Sequence, residues 1–372
     1  MADRPAQGAL ETEIGLVVEV VGAWPGAQEL GVQVRGRRER ALNYVELLGE
    51  VAPGETVLLN TTAVRAGLGT GGYHFVMKRE SAPRPPEGAG GIVKLRYTPL
   101  QFRCRAVEEP GSAHRQALEA CEDMGGAPVI AAGLHSHIAP AAAALKALVP
   151  QARIAYVMSD EAALPLALSK LVRDLRAAEL LDATITVGQA FGGDHEAVNV
   201  YSGLLAARAV VGAHVVIVGQ GPGNVGTESE WGFGAIAQGE HVNAAAVLGA
   251  FPIAVPRISF ADPRSRHRGV SRQTLVALGR VALVRAIVSL PDMPADRLEL
   301  VRRQLDDEGL TAKHDVLIAR GEIGLQTLRE RGVEVKTMGR RPEEDPEFFL
   351  AAGAAGAIAA QRLTWDETPG SD

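Results

Sequence analysis

Residues 214–234 read HVVIVGQGPGNVGTESEWGFG. Residues 215–218 are β-branched or aliphatic and uncharged, the signature of a buried strand. The run breaks at Gly219, and Gly221, Gly223 and Gly226 follow, four glycines in eight residues. Glycine lets a backbone bend sharply, take positive φ and bring bare N–H groups against a ligand. A helix is expected from about 233 to 249. Strand, glycine loop and helix together make one βα unit.

The alternation extends in both directions. Strands are expected at 92–97, 102–107, 127–132, 153–157, 184–187 and 253–258, then at 315–318 and 333–335. Helices are expected at 113–124, 140–148, 161–181, 196–211, 271–290, 295–308, 323–331 and 345–360. This pattern predicts a Rossmann-like, mostly parallel α/β domain over 92–365. Residues 1–80 differ. They carry short strands near 14–21, 30–34, 55–60 and 73–77, with a Pro-Gly turn at 53–54 and a glycine-rich loop at 66–72, which predicts a small β-barrel or sandwich-like domain. Residues 81–91 hold three prolines and three glycines and read as the linker.

At 372 residues the chain has room for two domains and a sizeable core. Aromatics are only 4%, so the core must be built from Ala, Val, Leu and Ile. A net charge of −6 argues against a general nucleic-acid binder. Cys104 and Cys121 have neither disulfide-framework nor zinc spacing and read as small buried hydrophobes. The N-terminus has no apolar signal core and no apolar run is long enough to span a membrane, so a cytoplasmic location is expected.

Function is expected where strands run into helices, because those loops are rich in His, Asp, Arg and Ser while the returning loops are short and plain. Gly219, Gly221, Gly223, Asn224, Gly226 and Thr227 fit a phosphate cradle, with Gly221 to Gly226 matching G-x-G-x-x-G between a strand and a helix. A dinucleotide reading is weakened because the strand comes late and no acid ends the next one. A tight packing turn is the plain alternative. His135 and His137, two apart at a strand end, should point the same way. With Asp194, His195 and Glu196 on a neighbouring loop they could ligate a metal, serve as acid–base groups, or only bond loop backbone and cap a helix.

Arg257, Arg264, Arg266, Arg268 and Arg272 fall within sixteen residues, with His267 among them as a further acid–base candidate and Asp262 opposing, which like Asp194 could orient an imidazole or bind a metal. Guanidinium groups bind phosphate or carboxylate, so Arg257, Arg266 and Arg268 are candidates to neutralise an anion; an interface or solvated face is the alternative. Ser271 reads as the cap of the following helix. No G-x-S-x-G elbow is present and no lysine follows the glycine loop as in a P-loop.

The run VGQGPGNVGTESEWGFG, with RISFADPRSRHRGVS, GLHSHIAP and GLGTGGYHFV, resembles a bacterial family catalogued as a domain of unknown function, number 3866. The resemblance spans residues 15 to about 360 and implies a bacterial cytoplasmic protein, with no activity, cofactor or site residue to carry over. The residues themselves favour an enzyme or binder for a small anionic, phosphorylated metabolite. The competing expectation is a regulatory or scaffold protein that engages a partner through its β-domain. Convergence separates the two: His135, His195, Gly223 and His267 around one pocket would support enzyme-like chemistry, and their scatter would remove it. No cofactor is specified by these loops, and self-association is left open.

Overall fold

In the computed structural model, which describes residues 10–68, 71–80 and 90–366, alternating side chains roll the first strands into a closed barrel. Its strands are β1 (Thr12–Trp24), β2 (Ala27–Val34), β3 (Arg37–Tyr44), β4 (Thr56–Asn60) and β5 (Tyr73–Arg79), in the order β1-β2-β3-β5-β4. Only β3 and β5 pair in parallel. Val17, Leu30, Val32, Val57, Leu59 and Val76 fill the interior. Outside, arginines are matched by acids, as in Arg40–Glu29 at 2.8 Å and Arg79–Glu55 at 2.9 Å. Contacts divide the chain into two compact units, Met1–Ala89 with Leu95–Arg103, and Gly90–Lys94 with Cys104–Asp372. Of the expected linker, residues 81–89 lie outside the described residues, as do residues 69 and 70 of the first glycine-rich loop.

The second unit is built on an eight-stranded sheet. Its strands are β6 (Pro128–Ala132), β7 (Ile154–Ser159), β8 (Ala183–Val187), β9 (His195–Ala197), β10 (Val215–Gln220), β11 (Phe251–Val255), β12 (Ile287–Pro291) and β13 (Asp315–Ala319). The order is β9-β8-β7-β10-β6-β11-β12-β13, and every neighbouring pair is parallel. Helices cover both faces, so the central strands are buried along their whole length. One face carries α1 (Ile138–Leu148), α2 (Lys170–Ala177), α7 (Glu322–Glu330) and α8 (Pro346–Asp366) over Ile130, Tyr156 and Ile217. The other carries α3 (Val200–Ala209), α4 (Ala237–Val247), α5 (Arg272–Val276) and α6 (Ala295–Asp307) over Val129, Val157 and Val218. Fully buried alanines of α1 and α8 supply much of the first core, as the low aromatic content requires. Cys104 and Cys121 are free and only half-buried, more exposed than expected.

Four boundaries differ from the pattern reading. The helix expected from 161 starts only at Lys170, after a segment that contains Pro165 and ends at Ser169, whose Oγ accepts from Val172 N. The helix expected from 196 begins as the edge strand β9, and α3 follows its Asn199 cap. Residues 271–290 do not form one helix: α5 continues as a π turn to Val281, and Ile287 enters β12. A short apolar run fits strand or buried helix equally well, and here the ladders with β11 and β13 decide. Residues 333–335 join no sheet. Among the described residues no helix is long and apolar enough to cross a membrane.

Candidate functional site

The strand order singles out one end of the sheet. After β6 the chain rises into α1 on one face, whereas after the adjacent β10 it enters α4 on the other. Neighbouring strands whose connections diverge leave a crevice at their carboxyl ends, where ligands of open α/β sheets collect. Strands β6 and β11 diverge likewise, but Gln238 closes that gap by donating to Ala131 O at 2.9 Å and Val255 O at 2.8 Å. Beside β10 a cavity of about 320 Å³ remains, lined by His135 and Ser136, by Lys170 and Leu171 of α2, by residues 221–224, and by residues 334–338.

The glycine loop contributes its first half only. Gly221 must be glycine because a Cβ there would lie 2.6 Å from Ala163 O, and Gly223 turns the chain at φ +92°. The Asn224 side chain folds back rather than facing a ligand: its Oδ1 accepts from Gln220 Nε2 at 2.8 Å and from Ala235 N at 3.1 Å. Beyond it the loop leaves the cavity as an exposed hairpin, with Gly226 bridged to Phe233 and Thr227 N donating to Gly232 O at 2.8 Å. Gly219 lies buried inside β10. The expected G-x-G-x-x-G cradle therefore does not form, because α4 opens about ten residues too late to meet Gly226.

His135 and His137 sit on one turn of 3₁₀ helix, not on a strand, so their rings diverge. His137 is fully buried with its ring 4.4 Å from that of Phe348, and burial pushes its imidazole down to about 3. His135 reaches the cavity. Its Nε2 lies 2.7 Å from Ser169 Oγ, and its Nδ1 lies 3.3 Å from both Tyr156 OH and Gln220 O. Burial pushes this imidazole down to about 4, so it is neutral at pH 7.

The remaining candidates lie elsewhere. Strands β8 and β7 separate β9 from β10, a gap of roughly 14 Å at about 4.8 Å per strand. There Asp194 accepts from Thr184 N at 2.8 Å and pairs with Arg176, while His195 stacks edge-on against His114. Glu196 pairs with the fully buried Lys94 and accepts from Thr186 Oγ1 at 2.7 Å. The metal set envisaged from His135, His137, Asp194, His195 and Glu196 is thus not assembled. Among the described residues no group of three His, Cys, Asp or Glu side chains is placed to hold a metal ion.

The arginine loop is committed to its own acids. Arg257 and Arg264 each reach Asp262 at 2.8 Å, and Arg340 joins them while also bonding Asp345 at 2.9 Å. Hydrogen bonds from Arg264 and the nearby Arg257 hold the Asp262 carboxyl well below the usual range, and burial lowers Arg257 to about 10. Arg266 pairs with Glu228 at 3.0 Å, and Arg272 with Glu230 and Glu308. Arg268 is exposed; its carbonyl accepts from Gln304 Nε2 at 3.0 Å and its N–H donates to Ser265 O at 3.1 Å. His267 is buried, with Nδ1 2.7 Å from Ser271 Oγ, the cap of α5; burial and then Arg257 push it to about 4. None of these side chains lines the cavity.

A family model described as "Protein of unknown function (DUF3866)" matches residues 40–356. The chain belongs to this family. Comparison with the curated proteins and with the solved structures gives no match. The family description carries no chemistry, so the cavity must supply it. Of the residues expected at a site, the fold brings together His135, Gly221, Gly223 and Asn224. Lys170 and Lys336 line the cavity as well, and Ser169 and Tyr156 meet it through His135; the pattern reading assigned none of these four to the site. Ser169 has a recognisable signal, a serine placed to cap once Pro165 is allowed to interrupt the helix. Lys336 has none, because nothing local places residues 334–338 over the end of β10.

Proposed function

We propose that this protein binds a small anionic metabolite, phosphorylated or carboxylated, at the carboxyl edge of its α/β sheet. The observation that carries the reading is the open cavity between the ends of β6 and β10 with the N-terminus of α2 at its wall. Helix N-termini present unsatisfied N–H groups and partial positive charge to anions. Lys170 and Lys336 stand exposed at the rim, and neither has a carboxylate within ion-pair range among the described residues. Of the two acids there, Asp174 is already paired with Arg173 at 2.9 Å, which leaves Glu334 against the two lysines. The positive charge thus comes from lysines and a helix terminus, not from the arginine loop. Acid–base chemistry shared by His135, His195 and His267 is no longer part of the reading, because the three rings do not meet.

Thermal-shift measurements with inorganic phosphate, sugar phosphates, nucleotides and small carboxylates test it. A ligand at a hundredfold excess over its dissociation constant adds about 2.7 kcal/mol. Stabilisation should weaken in Lys336→Ala and Lys170→Ala and persist in Arg266→Ala. A panel without any stabilising anion removes the reading.

The scaffold reading keeps one support. Ile14, Leu16 and Val18 of β1 are 70%, 42% and 40% exposed, an apolar stripe on the outer wall of the barrel. Light scattering on Leu16→Glu tests whether the stripe joins copies of the chain; an unchanged mass in both proteins removes that support.

A further inference from the structure

We propose that Ser169 and His135 form a nucleophile–base pair, and that the cavity accepts an ester of a small anion whose acyl group passes to Ser169 Oγ. The proposal rests on the binding reading of the same cavity and names the chemistry performed there.

Hydrogen-bond accounting assigns the proton on His135. Tyr156 OH has a single hydrogen, directed at Gln220 O at 2.9 Å or Gly219 O at 3.1 Å. Toward the histidine it can only accept. Gln220 O can also only accept, so both neighbours of Nδ1 call for a donor. Nδ1 therefore carries the hydrogen, and the Nε2 lone pair faces the Ser169 hydroxyl at 2.7 Å. This is the relation in which an imidazole activates a serine, with a tyrosine oxygen and a backbone carbonyl orienting the ring where a carboxylate often does. Capping explains why Ser169 Oγ accepts from Val172 N at 3.0 Å; it does not explain a histidine on the other side.

Placement completes the case. Ser169 is 4% exposed, yet its chain neighbour Lys170 and its partner His135 both line the cavity. The N–H from Val172 stabilises negative charge as it develops on Oγ, and Lys170, Leu171 and residues Gly221 to Asn224 line the cavity onto which His135 opens.

The step balances. Ser169 Oγ bonds to the carbonyl carbon while its proton moves to His135 Nε2. The carbonyl electron pair shifts to oxygen and returns as the ester C–O bond breaks. The departing alcohol takes the proton from Nε2. Water then attacks acyl-Ser169 by the same route, releasing the acid and restoring the serine.

The test uses the full chain and an alkyl fluorophosphonate, which forms a P–O bond to an activated serine as the P–F bond breaks and fluoride leaves. Tandem mass spectrometry should find the adduct on Ser169 and none on Ser271. His135→Gln should slow labelling roughly a hundredfold, and Ser169→Ala should abolish it. Absence of an adduct on Ser169 in the wild-type protein, whose fold no substitution disturbs, overturns the proposal, as does an unchanged rate in His135→Gln. The anion panel separates the two readings. Stabilisation by phosphates without labelling removes the nucleophile and leaves the binding site. Labelling without stabilisation by any anion keeps the nucleophile and removes the anionic ligand.

Discussion

Among the described residues two histidine–serine pairs are locally almost alike. His135 meets Ser169 and His267 meets Ser271, each at 2.7 Å, and each serine caps a helix on the same edge of the sheet. Their surroundings differ. His267 and Ser271 are 1% and 0% exposed and lie beside three guanidinium groups drawn together by Asp262 and Asp345. His135 opens onto a cavity whose nearest charges stand at its rim. A short bond between the right atoms is therefore not yet a site. Access for a ligand, and freedom from internal ion pairs, separate a pair that can react from one that holds a loop in place.

The comparison breaks most visibly at Asp262. Its side chain is fully buried, and Asp262→Ala leaves the buried Arg257 uncompensated, with a loss of about 3–5 kcal/mol expected in denaturant unfolding. A loss near zero would mean that the arginines are free after all. Acid should distinguish the pairs next. Both imidazoles are held at about 4 when folded and titrate near 6.5 when unfolded. Above 6.5 neither state is protonated and nothing is lost. As pH falls from 6.5 to 4 the unfolded chain binds protons that the folded chain refuses, and stability drops by up to about 3 kcal/mol per histidine. His135 is partly exposed at the cavity whereas His267 is 1% exposed, so His267→Gln should flatten the pH dependence of the urea midpoint more than His135→Gln. Equal flattening would erase the difference in access.

Smaller effects sharpen the contrast. Ser169→Ala and Ser271→Ala each remove a cap and should cost about 1 kcal/mol of unfolding free energy. Similar losses in stability, with only the first abolishing fluorophosphonate labelling, would show that the pairs share structure and differ in reactivity. Arg266→Ala, at an exposed pair with Glu228, should leave the melting curve nearly unchanged and anion stabilisation intact. Loss of anion binding there would return the arginine loop to the site.

Most of the fold was legible, and the part of the site that was legible has a physical boundary. Val215 to Val218 announced a buried strand because β-branched residues without charge fit little else, and the alternation around it announced the parallel sheet. The 3₁₀ turn at His135–His137 was hidden, because a two-residue spacing suggests a shared face only on an extended chain. The arginine run read as open charge, because Asp345, whose charge faces Arg257, and Arg340, which shares Asp262 with the run, belong to a segment about eighty residues away. Glu228 and Glu230, which pair with Arg266 and Arg272, stand in the hairpin directly after Gly226 and Thr227, the last residues the cradle reading had assigned to phosphate.

Composition and periodicity alone determined a small all-β domain, the wound sheet and the edge on which polar loops gather, since these depend on which face of each element must leave water; the choice of barrel over sandwich came from the strand pairing. Only tertiary packing decided which of those loops share a space. Gln238 filled one crevice, residues 334–338 walled another, and α2 began late enough to set Ser169 against His135. Those outcomes turn on contacts between segments far apart in the chain, and no local pattern of residue types records them.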